Sequence, residues 1–312
     1  MSTTTAPARP QAVRRPGDRI FGGAAVGSGV LILITLAAVA AFLLYQAWPA
    51  IVADPTEVRG EQGLLWYVGP LIFGTLLSSV IALLIAFPLS IGIALFISHY
   101  APRRLAQGLG YVIDLLAAVP SIIFGLWGLS IATEAVPSFN IINEYLGWIP
   151  LFGGQVTVTG RTMLMIGIVL AIMILPIMTA VNREVFLQTP RLHEEASLAL
   201  GATRWEMIRQ TVIPFGRSGV ISGAMLGLGR ALGETMAVAI ILSPSARYSW
   251  ELLTSASAGT IAGDIALNFP ESFGVERNTL FVSGLALFVV TLLVNMFARW
   301  IISRRAEFSG AN

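Results

Sequence analysis

Six apolar segments, each long enough to cross a bilayer, constrain the fold of this chain more than any other feature. They are residues 20–48, 67–98, 109–133, 163–181, 220–242 and 280–302. A transmembrane helix needs about 20 predominantly apolar residues, and backbone groups in lipid must find their hydrogen bonds within the segment. With 55% hydrophobic and 12% charged residues, the 312-residue chain is too apolar for a soluble globular protein. The sequence therefore predicts an all-α, polytopic membrane protein with six transmembrane helices.

Arginine is concentrated in alternate connections between the predicted spans. It occurs before the first span, between the second and third, between the fourth and fifth, and at the C-terminal end of the sixth span and beyond it, whereas acidic residues predominate in the other connections. The arginines of this first set are Arg9, Arg14, Arg15, Arg19, Arg103, Arg104, Arg183, Arg191, Arg204, Arg209, Arg217, Arg299, Arg304 and Arg305. Because positive charge is retained on the cytoplasmic side of a membrane, we expect both termini to be cytoplasmic.

The spans and the polar ends define the domain organisation. Residues 1–19 are rich in Ala, Pro and Arg, which indicates a disordered cytoplasmic tail. Residues 20–66 contain the first transmembrane helix and an outer loop, residues 67–304 form the main transmembrane domain, and residues 305–312 form a second cytoplasmic tail. Within the main domain, residues 182–219 are the longest cytoplasmic connection.

This connection has the capping pattern of a helical hairpin. Thr189 followed by Pro190 is typical of an N-cap and a first helical residue. Apolar residues at helical spacing follow, and Gly201 is typical of a left-handed helix stop. The first part of the connection therefore predicts a short helix that ends at Gly201.

A second short helix is predicted directly afterwards. Thr203 and Glu206 match the T-x-x-E capping box, and we expect Pro214 to end this helix just before the chain re-enters the membrane. An ordinary amphipathic surface loop remains an alternative. A DNA-reading helix-turn-helix is disfavoured, because the hairpin is tethered to two spans and its second helix lacks a surplus of phosphate-binding side chains.

The fifth span carries two charged residues, Arg230 and Glu234. Charges at mid-span are costly and must face protein or water rather than lipid, and a spacing of four residues allows the two to pair. Gly219, Gly223 and Gly227 lie in the same helical sector, so we expect that face to pack closely against another helix, a second subunit being the expected partner. The pair is interpreted either as an anion-handling element of a pathway or as a buried ion pair that fixes helix register.

Few other residues are candidates for a chemical role. Asp114, near the cytoplasmic end of the third span, belongs either to a pathway or to the hydrated membrane interface. His99 and His193 are isolated, so no metal site is predicted. The sequence has no cysteine, no lysine and no G-x-x-x-x-G-K-[ST] phosphate loop, so neither thiolate chemistry nor nucleotide hydrolysis is expected on this chain, and no catalytic residue is predicted.

The hairpin resembles the EAA loop of binding-protein-dependent ABC importer permeases. The matching positions are Glu195, Ala196, Ser197, Gly201 and the run Thr211, Val212, Ile213 and Pro214. The resemblance implies that the hairpin docks onto a cytoplasmic ATPase, with Glu195, Ala196, Gly201 and Pro214 as coupling residues. The sequence departs from the pattern at Ser197, which replaces an alanine, and at Thr211, which replaces an aliphatic residue.

A second resemblance concerns the fifth span. Residues 229–238, Gly-Arg-Ala-Leu-Gly-Glu-Thr-Met-Ala-Val, resemble the phosphate-specific (Pst) permeases, and the Thr-Met-Ala-Val ending resembles their PstC-type subunits. Residues 114–121, 125–128 and 260–262 add to this resemblance, which extends from about residue 67 to residue 304.

The resemblance implies a MetI-like ABC importer permease fold in the cell inner membrane that carries inorganic phosphate inward. Arg230 and Glu234 would then lie on the substrate pathway, with Asp114 as a secondary candidate. The implied partners are a PstA-type permease, a PstB-type ATPase dimer that uses ATP, a PstS-type phosphate-binding protein and membrane lipid. No cofactor on this chain and no nucleic acid are implied. Another oxyanion such as sulfate or molybdate, or ATP-independent secondary transport, remains an alternative.

Overall fold

The computed structural model describes residues 16–61, 63–242, 246–255 and 258–306, and the regular structure within these ranges is helical. The α-helices in chain order are α1 (Pro16–Val52), α2 (Leu64–Leu95), α3 (Arg103–Ala117), α4 (Ser121–Leu146), α5 (Met163–Leu187), α6 (Arg191–Ala199), α7 (Arg204–Met207), α8 (Ile213–Leu232), α9 (Met236–Ile241), α10 (Ile261–Asn268) and α11 (Gly274–Ala306). Two π-helical segments, Phe96–Tyr100 and Ile208–Val212, extend α2 and join α7 to α8, and a 3-10 turn, Phe269–Glu271, follows α10.

Six helical stretches of the described chain are long and apolar enough to cross a membrane. They are Ile20–Val52, Leu64–Tyr100, Ser121–Leu146, Met163–Leu187, Arg204–Leu232 and Gly274–Ile301. The predicted all-α class and the number of spans are confirmed. The predicted tails fall largely on residues 1–15 and 307–312, which lie outside the described residues.

The prediction of a third span over residues 109–133 is wrong. The chain leaves the helical conformation at the end of α3 and starts again at α4, with Pro120 in an extended conformation as the N-cap residue of α4. Proline has no N–H to donate and disfavours helical backbone in the residue before it, here Val119. The spanning helix is therefore α4, and α3 is a separate helix whose Gly110 lies beneath the guanidinium of Arg183 on α5.

The predicted fifth span, residues 220–242, is also not a single helix. α8 ends at Leu232 and α9 begins at Met236, with Gly233 to Thr235 between them. Glycine is a poor helix former, and the Thr235 hydroxyl donates to the Gly233 carbonyl over 3.1 Å. The helix that crosses the membrane instead starts much earlier, at Arg204, and stops at this break.

α5 is the central helix of the bundle and packs against α2 on one side and α8 on another. Ile166, Leu170, Ile174 and Met178 of α5 are fully buried. In contrast, α1 lies at the edge along α11, where the Phe42 and Phe281 rings meet edge to face with centroids 5.9 Å apart. α5 therefore anchors both the break in the fifth span and the hairpin that follows it in sequence.

Candidate functional site

The hairpin that follows α5 forms as predicted, with a shift of one residue at its first cap. Pro190, not Thr189, is the N-cap residue of α6, and the Thr189 hydroxyl is buried without a hydrogen-bond partner among the described residues. Gly201 follows α6 with a φ of 88°, the left-handed conformation that residues with a Cβ seldom adopt. The helix stop predicted at Gly201 is therefore confirmed.

The capping box that starts α7 is also confirmed. The Glu206 backbone N–H donates to the Thr203 hydroxyl over 3.3 Å, and the Thr203 backbone N–H donates to Glu206 Oε2 over 2.8 Å. These two bonds satisfy donors that the first turn of a helix leaves free. They fix the direction in which the chain leaves the turn at Gly201.

Pro214 does not end the second helix, so that prediction is wrong. Pro214 lies in the first turn of α8, where the missing N–H is tolerated. The π-helical segment Ile208–Val212 directly precedes it. As a result, α7, this segment and α8 form one uninterrupted helical stretch from the hairpin to the break at Gly233.

The hairpin exposes an apolar surface. Leu200 is 90% exposed and Leu192 is 76% exposed, and Trp205 is also exposed. Glu195 and Ala196 lie exposed on α6, a helix with no buried residue. Large apolar side chains exposed together on the hairpin are typical of a surface that binds a protein partner.

The other face of the hairpin lies against the end of α2. His99, in the π-helical extension of α2, places Nε2 at 3.5 Å from Glu194 Oε1 on α6. A cleft of about 330 Å³ lies between these elements, lined in part by His99, Thr189, Glu194 and Arg204. His193, the second histidine, is exposed on α6.

The glycine stripe on α8 packs closely against a helix, as predicted, but that helix is α5 of the same chain. A Cβ on Gly219 would lie 2.3 Å from Val185 Cγ2, and one on Gly227 would lie 2.7 Å from Met178 Sδ. A Cβ on Gly223 would lie 2.9 Å from Asn182 Oδ1. The expectation that these glycines pack against a second subunit is therefore wrong, because α5 already occupies the space.

Arg230 and Glu234 are not paired in this structure. No ion pair of 4.0 Å or less joins these two described residues. α8 ends between them, so the geometry that brings residues i and i+4 together on one helix is lost. Glu234, 8% exposed, instead accepts a hydrogen bond from the Ala237 N–H in the first turn of α9 over 3.1 Å.

Arg230 retains unused hydrogen-bonding capacity at the break. Its Nε is buried and has no hydrogen-bond partner among the described residues. Burying a donor without a partner is costly, so this guanidinium is suited to a ligand with acceptor oxygens. Asp114 is exposed on α3, a helix that packs against α5.

Arg161 contributes to the site and was missed by sequence reasoning. It lies just before α5, and its Nε donates to the Ile241 carbonyl over 2.9 Å while Nη2 donates to the Ile240 carbonyl over 3.1 Å. These carbonyls belong to the last residues of α9. The available signal was an arginine directly before an apolar span, in a connection otherwise dominated by acidic residues.

At the opposite end of the bundle from the hairpin, α10 is tied to the start of α2. The Tyr67 hydroxyl donates to Asp264 Oδ2 over 2.6 Å, and Asn268 Nδ2 donates to Asp264 Oδ1 over 2.8 Å. Arg59 Nη2 donates to Asn268 Oδ1 over 2.7 Å. Burial raises the pKa of the Asp264 carboxyl above its usual range.

Comparison with known proteins finds one family and close relatives. Residues 86–307 match the family described as binding-protein-dependent transport system inner membrane component. The "Phosphate transport system permease protein PstC 2" of Mycobacterium tuberculosis is 46% identical over 298 residues, covering 91% of each chain. The "Phosphate transport system permease protein PstC" of Mycobacterium leprae is 44% identical over 308 residues, covering 95% of this chain and 96% of that one.

Solved structures share the fold. A chain of a bacterial alginate ABC transporter, in complex with its alginate pentasaccharide-bound periplasmic protein, aligns with a TM-score of 0.64 at 18% identity, covering 92% of this chain and 95% of that one. A chain of the MetNI methionine ABC transporter in an inward-facing conformation aligns with a TM-score of 0.55 at 14% identity, covering 77% of this chain and 96% of that one. The expected MetI-like ABC importer permease fold is confirmed.

Proposed function

The chain belongs to the family of binding-protein-dependent transport system inner membrane components, and from this premise we propose that it is the permease subunit of an ATP-driven importer of inorganic phosphate. The phosphate transport permeases described above align with nearly the whole chain, which supports phosphate over sulfate or molybdate. The observation that carries the proposal within the fold is the buried, unpartnered Nε of Arg230 at the break in the fifth span.

Phosphate passes the break at Arg230. A guanidinium presents a planar set of donors that matches phosphate oxygens. Because the Glu234 carboxylate is engaged with the Ala237 N–H rather than with Arg230, the guanidinium is free to accept an anion. The negative charge of Glu234 nearby weakens anion binding, which favours release, since conduction requires a site that the ion can also leave.

The hairpin couples this chain to a cytoplasmic ATPase of the PstB type, which hydrolyses ATP in place of this chain. The exposed apolar side chains Leu192 and Leu200 support a protein-binding surface on the hairpin. Glu195, Ala196 and Gly201 lie on this surface and take the coupling role, whereas Pro214 acts inside the helix that connects the hairpin to the break.

Two further partners complete the assembly. A homologous permease of the PstA type forms the second half of the pathway, and an extracytoplasmic binding protein of the PstS type delivers phosphate to the side opposite the hairpin. The placement of arginine in alternate connections supports cytoplasmic N- and C-termini. No cofactor is required on this chain.

The experiment is phosphate uptake into vesicles that contain the chain with these partners, with and without ATP. Arg230→Ala is compared with Arg247→Ala, a control that removes an exposed arginine from another connection. We expect ATP-dependent phosphate uptake that Arg230→Ala abolishes and Arg247→Ala leaves intact. Full uptake in the Arg230→Ala complex would refute the pathway role, and ATP-dependent uptake of sulfate instead of phosphate would refute the substrate.

A separate substitution, Gly201→Asp, tests the coupling role of the hairpin. Gly201→Asp places a side chain on a residue with a φ of 88°, which is strained for any residue with a Cβ and distorts the docking surface. We expect ATP hydrolysis to continue without phosphate uptake while the complex remains in the membrane. Normal ATP-driven uptake in this variant would contradict the coupling role.

A further inference from the structure

The short helix α9 is capped at its C-terminal end by an arginine from elsewhere in the chain. The last carbonyls of a helix have no partner within the helix, and a cation is favoured beside them. Arg161 supplies both a charge and a two-pronged donor, because Nε and Nη2 bind the carbonyls of Ile241 and Ile240 at 2.9 and 3.1 Å. Ile240 and Ile241 are 79 and 80 positions from Arg161 in the sequence.

The N-terminal end of α9 is capped by an acid. Glu234 Oε1 accepts the Ala237 N–H, and Glu234 lies in the break between α8 and α9. A helix of six residues is too short to be stable by itself, so its order depends on what holds its ends and sides. Opposite charges at the two ends match the helix dipole.

The sides of α9 are enclosed by close helix contacts. A Cβ on Gly125 of α4 would lie 2.8 Å from the Ala237 Cα, and a Cβ on Gly128 would lie 2.8 Å from Ile241 Cδ1. α9 therefore lies in a narrow groove on α4. A small rotation of α9 within this groove would move both ends of α9.

We propose that Arg161 is a positioning residue for translocation: its two hydrogen bonds hold α9 as a rigid unit and thereby fix Glu234 beside the pathway. The distance between the two ends of α9 is about 9 Å, as expected for six residues, so Arg161 acts on Glu234 through the helix and not by contact. The proposal rests on the function proposed above and adds to it a residue from the connection before α5.

Two variants separate the hydrogen bonds from the charge. Arg161→Met keeps much of the side-chain length and removes both, whereas Arg161→Lys keeps the charge but cannot span two carbonyls with a planar fork. Arg247→Met is the matched control, because Arg247 is exposed and contacts neither end of α9 through a hydrogen bond in the described structure.

The first readout is hydrogen exchange of α9 in the assembled complex. The reporting amides are those of Ala239 and Leu242, which bond to the carbonyls of Thr235 and Val238 at 2.9 and 2.8 Å. A hydrogen bond from a charged group is strong enough that its loss should speed exchange by about tenfold or more. We expect this in Arg161→Met, a smaller increase in Arg161→Lys, and no change in α5, α8 or Arg247→Met.

The second readout is phosphate uptake by the same complexes. We expect the maximal rate to fall by about tenfold in Arg161→Met, with partial recovery in Arg161→Lys and an unchanged half-saturating concentration of the phosphate-binding protein. A general loss of folded protein would lower the maximal rate in the same way, so each rate is divided by the amount of assembled complex in the vesicles, and faster exchange confined to α9 distinguishes disorder of α9 from general unfolding.

The exchange and uptake measurements together decide whether Arg161 is a positioning residue. Wild-type exchange of α9 in Arg161→Met, or faster exchange with normal uptake, would overturn it. If Arg161→Met does not assemble, Arg161→Lys decides, and unchanged α9 exchange in that variant would overturn it. If the wild-type complex carries no phosphate, the proposed substrate fails, while the exchange measurement still tests whether Arg161 orders α9.

Discussion

Replacing Gly219 by alanine should force α8 away from α5, because the space that a Cβ needs is already filled. The new Cβ would lie 2.3 Å from Cγ2, 2.6 Å from Cγ1 and 3.0 Å from Cβ of Val185. Carbon atoms pack best at about 3.5 to 4.0 Å, so the helices must separate by about 1 Å. Rotation of Val185 does not relieve the clash, because both of its methyl groups are too close.

The expected cost follows from two opposing effects. Overpacking a filled interface costs about 1 to 3 kcal/mol, and the gain in helix propensity from glycine to alanine returns up to about 1 kcal/mol. We therefore expect the free energy of unfolding to fall by about 1 to 2 kcal/mol. The measurement is a denaturant titration of the purified chain in detergent micelles, followed by far-UV circular dichroism.

Two controls identify the cause. Gly229→Ala, on the same helix, adds a Cβ with no atom within 4 Å, so it should leave stability unchanged or raise it by up to about 1 kcal/mol. Val185→Ala combined with Gly219→Ala should recover much of the loss, since the smaller side chain makes room, and the double-mutant cycle gives the coupling energy. Equal effects of Gly219→Ala and Gly229→Ala, or no recovery in the double variant, would refute the packing of this stripe on α5.

Three further predictions concern local contacts. Glu206→Ala removes one half of the capping box and should destabilise the hairpin by about 1 kcal/mol, seen as faster hydrogen exchange in the hairpin with unchanged exchange in the spans. Asn182→Ala removes the 3.1 Å bond from Nδ2 to the Ser90 hydroxyl between two buried positions and should lower the free energy of unfolding by about 1 to 2 kcal/mol; an unchanged titration would contradict this. Because the pKa of Asp264 is raised in the folded chain, its contribution to stability is largest below about pH 4 and is lost as the pH rises through the raised pKa. Asp264→Asn should flatten this pH dependence in the same titration, and an identical pH profile in both proteins would refute it.

The parts of the fold that were predicted correctly depend on short-range signals. The stop at Gly201 and the capping box at Thr203 involve residues within a few positions of each other, so their pattern is visible in the sequence. The number of spans follows from hydropathy alone, because lipid requires the same length and composition whatever the helix packs against.

The errors arise where hydropathy continues across a change in backbone conformation. The apolar run through Val119 and Pro120 reads as one span, although the proline separates α3 from α4. The same is true at Gly233, where the break removes the expected pairing of Arg230 with Glu234. Hydropathy measures the cost of transfer into lipid and carries no information about where a helix stops.

Partners in the folded chain were the least predictable part of the site. The glycine stripe indicated a close helix contact but not which helix provides it, because α5 and a second subunit would leave the same pattern. Arg161 could not be connected to Ile241 from the sequence, since the hydrogen bond joins a connection to a helix end 80 residues away. Such contacts are set by tertiary packing and leave no local pattern.

The uninterrupted helix from Arg204 to Leu232 connects the hairpin directly to the break that follows α8. Its 29 residues extend over about 40 Å at about 1.5 Å per residue. A tilt of about 5° at the hairpin would displace the far end by about 3.5 Å, roughly two-thirds of the rise of one helical turn. Arg230 lies in the last turn at that far end, so a motion too small to rearrange the hairpin itself is amplified where the helix stops.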